Sequence, residues 1–192
     1  MRIFACALPP ILFCLGGGGC MLPLAVAVVL HECAHLAALR LCGGRLRDFC
    51  AAPFGLCLVL DEGTLSLGGE AIVCAAGCFA NLLCAGFAFA AYALFSVDLL
   101  LLGTVNLLTA LLNLLPMPPL DGARLLFLLL SARRDPMFAG RAVAILGYAL
   151  SMLVFLFSSY LLLTTGEGMY ALLFSVYVFS ASSRQLAGKA RI

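Results

Sequence analysis

Charge is scarce in this chain. Lys, Arg, Asp and Glu make up 10% of its 192 residues, and the mean hydropathy is +1.17. Soluble domains carry about 25% of these residues, so the composition excludes one. Histidine is scarcer still: there are two, His31 and His35. The ten Cys all lie between Cys6 and Cys84, but no pair has C-x-x-C spacing, which removes the common zinc-ribbon and thiol-redox motifs. Several of these Cys sit inside apolar runs and are expected to be small packing residues without a chemical role. No repeat, low-complexity tract or charged linker divides the sequence. Residues 1–192 therefore read as a single membrane-embedded domain.

Apolar residues fill what remains, at 65% of the chain. A bilayer crossing takes about 20 helical residues. Spans are expected near Ile3–Leu15, Leu22–Leu41, Ala71–Phe95, Leu99–Leu115 with an extension to Leu130, Val143–Leu163 and Met169–Ser182. The first is interrupted by Pro9–Pro10 and also fits a signal-peptide core. The Gly16–Gly19 run favours a retained span, as a tight connection between two helices. With six spans and both termini cytoplasmic, all eleven Lys and Arg fall on the cytoplasmic side or at a cytoplasmic helix end. Only Asp98 and Glu167 face outward. That asymmetry is the positive-inside pattern, so the net charge of +2 reports topology and gives no reason to expect a nucleic-acid partner.

The longest stretch between spans, about Gly43 to Glu70, is too apolar for a solvated loop. Gly55–Gly69 (GLCLVLDEGTLSLGG) alternates about Asp61-Glu62-Gly63, which predicts a short β-hairpin. It is expected to dip into the membrane interface or lie against the helices, as a substrate clamp or as a simple cover.

Both His fall in one span, in the sequence HECAH (His31–His35). Two His placed at random in such a chain would fall four apart about once in a hundred chains. On a helix, residues four apart share a face and can hold one metal between their imidazoles. Glu32 lies about 100° round from His31, beside the open coordination position. From there it can take a proton from a metal-activated water. Ionisable residues inside a span usually mark function. A catalytic zinc site wants three protein ligands, and among the remaining acids Asp121 stands out. Pro116, Pro118 and Pro119 stop the fourth span at membrane depth, and Asp121-Gly122 follows. A helix N-cap is the other reading of that Asp. The remaining acids, Glu70 and Asp135 among them, have ordinary solvated readings in connecting segments.

HECAH, then AAGCFAN (Ala75–Asn81), then NLLPMPPLDG (Asn113–Gly122) together resemble the three signatures of the site-2 protease family of intramembrane zinc metalloproteases. The order and spacing are similar across most of the chain, and Gly43–Gly55 resembles the sporulation-type branch, which processes a pro-sigma factor. The resemblance implies an all-α polytopic membrane protein of about six transmembrane helices, sited in a bacterial cell membrane. It implies that His31, His35 and Asp121 ligate Zn2+ and that Glu32 is the general base. Asn81 and Asn113 become candidates for holding the substrate backbone or the oxyanion. The implied partners are the lipid bilayer, a membrane-associated protein substrate and a membrane regulatory protein. Cys78 departs from the pattern, standing where the third-span motif usually has Pro. Neither a PDZ nor a nucleotide-sensing CBS domain is expected. A CAAX-type protease would need a downstream Glu as third ligand, and only Glu167, on the opposite side, offers one. An inert adaptor would more readily have lost Glu32. A metal transporter would carry polar groups along several spans, whereas these spans read as nearly blank outside the motifs.

Overall fold

The computed structural model describes residues 2–5, 21–52, 55–60, 64–166 and 169–187. Among them the elements run β1 (Arg2–Ala5), α1 (Met21–Leu41), β2 (Leu46–Ala52), β3 (Gly55–Leu60), α2 (Leu67–Phe95), α3 (Leu100–Asn113), α4 (Asp121–Ser131), α5 (Pro136–Thr165) and α6 (Met169–Leu186).

Among the described residues, three helices are long and apolar enough to cross a membrane: Leu22–Leu41, Leu67–Phe95 and Pro136–Thr165. The 14 residues of α3 rise only about 21 Å, short of a bilayer core of about 30 Å. The chain continues past it through the proline break into α4. Lipid-facing positions remain apolar, as at Phe79, Phe87, Leu153 and Phe157.

Two expectations need correction. The first expected span begins as a strand: β1 pairs antiparallel with β3, Arg2 opposite Val59 and Ala5 opposite Leu56. The rest of that span, with Pro9–Pro10 and Gly16–Gly19, lies outside the described residues. The expected hairpin also pairs differently. Its first strand is β3, but β3 lies centrally in a three-stranded antiparallel sheet ordered β1-β3-β2, with the preceding segment β2 as its hairpin partner. The expected turn at Asp61–Gly63 lies outside the described residues. The expected return strand is absent because Thr64 and Leu65 bend and Leu67 starts α2. A capping serine overrides the alternation there: Ser66 Oγ accepts from the Gly69 N–H at 3.1 Å, and Glu70 stands in the first turn, where the helix dipole favours a negative charge.

Interior packing is thin and distributed. Ala38 and Leu39 of α1 meet Val73 and Cys74 of α2 and Leu128 of α4. Met117 and Leu120 of the proline break meet Phe174 and Val178 of α6. Leu24 and Ala27 meet Val105 of α3. The break is thus held from outside by α6, and α4 is held against α1 and α2.

Candidate metal centre

The helices α1 and α2 run antiparallel in a fixed register. Asn81 Nδ2 donates to the Ala27 carbonyl at 3.3 Å. One turn on, Gly77 faces the His31 ring; another turn on, His35 Nδ1 donates to the Val73 carbonyl at 2.7 Å. At the middle step the helices nearly touch. A Cβ added at Gly77 would lie 2.5 Å from His35 Nε2 and 2.7 Å from His31 Nε2, so only glycine admits both imidazoles there.

The third wall comes from the proline break. After α3 ends at Asn113, the backbone turns through bonds of its own: Leu115 N–H to Leu112 O at 3.1 Å, Met117 N–H to Leu115 O at 2.8 Å and Leu120 N–H to Met117 O at 2.8 Å. Irregular backbone at membrane depth needs such internal partners. A Cβ on Gly122 would strike the backbone of Leu114 and Leu115, so glycine lets α4 start hard against the end of α3. Asp121 is the first residue of α4, and the N-cap is Leu120 without a side-chain cap bond. The capping reading of Asp121 is thereby replaced. Its carboxylate turns inward, with Oδ2 3.0 Å from His31 Nε2 and 3.2 Å from His35 Nε2.

Three ligand-type atoms now converge, since the two Nε2 atoms are 3.1 Å apart. His31, His35 and Asp121 are 3%, 0% and 3% exposed. A carbonyl can only accept, so the bond to Val73 places the His35 proton on Nδ1 and leaves a lone pair on the neutral ring's Nε2. The carboxylate oxygen adds more lone pairs. Two nitrogens and an oxygen this close, with so few protons among them, suit a cation. Tetrahedral zinc with bonds of about 2.0–2.1 Å would hold its ligand atoms about 3.3 Å apart, near the spacing found. The Val73 carbonyl behind His35 accepts its other ring N–H, the kind of bond that orients an imidazole for a metal.

Glu32 shares the helix with both His residues, and its enclosed Oε2 has no hydrogen-bond partner among the described residues. Asn81 and Asn113 are buried but make no hydrogen bond to the triad. Asn113 Nδ2 donates to Thr109 O at 3.0 Å in its own helix. In both Asn residues Oδ1 is enclosed and unpartnered.

Sequence reasoning missed three participants. Gly77 lay inside the quoted AAGCFAN without being singled out. Glu70, given a solvated reading, pairs with Arg124 of α4 at 2.6 Å and ties α4 to α2 one turn beyond Asp121. Cys78, given no role, puts its sulfur within 4.8 Å of ligand atoms of His31 and Asp121. The spans are also less blank than expected, because Asn106, Thr109, Ser151 and Ser175 are buried in them. Their groups mostly bond back to their own helices, as Thr109 does to Val105 O and Ser151 to Tyr148 O, so they do not build a polar conduit.

Residues 93–157 match the family described as Peptidase family M50. That stretch contains α3, the proline break and Asp121, and stops short of the two His. No curated protein matches the chain. Among solved structures, the fold is similar to that of the Site-2 Protease from Methanocaldococcus jannaschii. The TM-score is 0.67 at 22% identity, over 95% of this chain and 85% of that one.

Proposed function

We propose that this protein is an intramembrane zinc metalloendopeptidase that cuts membrane-associated protein substrates within or near the cytoplasmic half of the bilayer. One observation carries the proposal: His31, His35 and Asp121 bring Nε2, Nε2 and Oδ2 within 3.2 Å of one another inside apolar helices. The match of residues 93–157 to peptidase family M50 supports the reaction class.

In this reading His31, His35 and Asp121 hold the metal. When bound, zinc supplies Lewis acidity towards water and the substrate carbonyl. The remaining work belongs to the chain. Glu32 takes the proton of the attacking water on its unpartnered carboxylate oxygen and delivers it to the leaving amide nitrogen as the peptide bond breaks. The Val73 carbonyl holds the His35 tautomer that leaves Nε2 free. Asn81 and Asn113, each with an enclosed free Oδ1, are placed to take backbone N–H groups of an unwound substrate. In this reading the edge strands of the sheet grip the same segment by β-augmentation.

The inward bias of the eleven basic residues supports both termini being cytoplasmic, and the resemblance implies a bacterial membrane. By resemblance, the substrate is a sporulation pro-sigma factor, with a membrane protein as regulator. The test uses purified protein in lipid with a co-reconstituted membrane substrate. Glu32→Gln should keep its zinc and lose about 10²-fold or more in cleavage rate, the usual worth of a positioned base. Undiminished turnover by that variant removes Glu32 as the base, whereas no cleavage by the zinc-loaded wild type removes the proteolytic reading.

A further inference from the structure

We propose that Cys78 is a reversible fourth ligand of the metal centre, one that closes the site at rest and must leave before substrate can enter. This rests on the metallohydrolase reading above and adds a regulatory element to it. Cys78 is 2% exposed and stands outside all three apolar clusters, whereas Cys74, one turn earlier, packs into the cluster of Val73 and Leu128. Its sulfur faces the metal-binding set instead, within 4.8 Å of ligand atoms on His31 and Asp121, with all three side chains buried. The thiol has no disulfide partner.

The position is fixed by its neighbours. Gly77 lies against both imidazoles, and α2 is pinned to α1 one turn away on each side, at Val73 and at Asn81. Residue 78 therefore cannot swing clear of the centre by moving the helix.

The chemistry follows from ligand count. Three protein ligands leave a position for water, whereas four make the closed, structural kind of zinc site. Two imidazoles, a carboxylate and a thiolate complete that set. Closing the site would exchange the bound water for sulfur: the metal–oxygen and S–H bonds would break, a metal–sulfur bond would form, and the water and the proton would leave to solvent. Opening reverses these steps. A thiolate ligand also shifts the preference of the site towards soft ions such as Cd2+.

Cobalt substitution in lipid-reconstituted protein tests this without relying on cleavage. Wild type loaded with Co2+ should show near-ultraviolet sulfur-to-cobalt charge-transfer absorption beside the visible bands of four-coordinate cobalt. Cys78→Ala should keep the visible bands and lose the ultraviolet one, while Cys74→Ser keeps both. Peptide cleavage by the zinc-loaded Cys78→Ala protein should rise severalfold. X-ray absorption at the zinc edge of wild type needs no variant and should find one sulfur in the inner shell. A shell of nitrogen and oxygen only, or identical ultraviolet spectra in wild type and Cys78→Ala with cobalt bound in both, overturns the role of Cys78 and leaves the metal centre standing. Full cobalt retention by His31→Ala overturns the centre itself, and this proposal with it.

Discussion

At the scale of single residues, the centre depends on groups that cannot substitute for one another. In the proposed centre, removing any of His31, His35 or Asp121 takes away a permanent ligand, and zinc affinity falls steeply when a ligand is lost. His31→Ala, His35→Ala and Asp121→Ala are each expected to abolish stoichiometric zinc in the purified protein, as read by metal analysis. Full zinc content in Asp121→Ala together with loss in Glu70→Ala would move the third ligand to Glu70. Gly77 makes a sharper test, because it has no chemistry of its own. A methyl group there would stand 2.5 Å from His35 Nε2, so Gly77→Ala should lower zinc affinity by about an order of magnitude or more while the protein still folds. Unchanged affinity would mean that α2 yields at this point. Part of this layer was legible in advance, since HECAH is local and helical spacing alone puts its two His on one face. Gly77 was not legible, because its importance comes from what lies across an interhelical contact.

At the scale of elements, the proline break aims the Asp121 carboxylate, the proposed third ligand, at His31 and His35. Gly147 of α5 packs on it so closely that an added Cβ would lie 2.6 Å from Pro118 Cδ and 3.2 Å from Pro116 O. Gly147→Leu is therefore expected to shift the break and cut zinc occupancy and cleavage together, a pairing that distinguishes it from a variant at Glu32. The sheet gives a second test. Val59 lies on the central strand, opposite Arg2 on one side and Asp48 on the other, and Pro removes a ladder donor there. Val59→Pro should weaken cleavage of a helical substrate more than that of one already unwound, with zinc content unchanged. Leu67→Pro should do little, because Leu67 is the first residue of α2 and Pro is tolerated at that position. Equal loss on both substrates would point to general misfolding, and no loss on either would leave the sheet as a cover.

At the scale of the whole molecule, the proposed metal would tie together helices far apart in sequence: α1 would supply two ligands and α4 the third, 86 residues beyond His35. Binding to the folded state alone should stabilise it, by about 2.7 kcal/mol when free zinc is 100 times its Kd. Thermal unfolding in lipid or detergent should accordingly shift upward with zinc in wild type and in Glu32→Gln, and not in His35→Ala. A zinc-dependent shift that survives in His35→Ala would place the stabilising ion elsewhere. The Glu70–Arg124 pair works at this scale too, joining the starts of α2 and α4. Exposed pairs contribute little, but this one is partly enclosed and sits one turn from Asp121.

The sequence by itself determined the apolar helical character, the His pair, the adjacent carboxylate and the break that brings an aspartate to membrane depth. Each is local: hydropathy runs, residues one helical turn apart, and the fixed φ of proline all act within a few positions. Tertiary structure decided what those pieces meet. Strand pairing was misread because β3 has two partners, one preceding it by a few residues and one near residue 2, and alternation names a strand without naming its neighbour. The turn from strand into α2 was settled by a single serine cap. Asp121 was either a cap or a ligand until the close start of α4 against α3 turned its carboxylate inward. Cys78 changed from a packing residue to a neighbour of the metal ligands for the same reason. Its surroundings come from α1 and α4, which no pattern within α2 encodes.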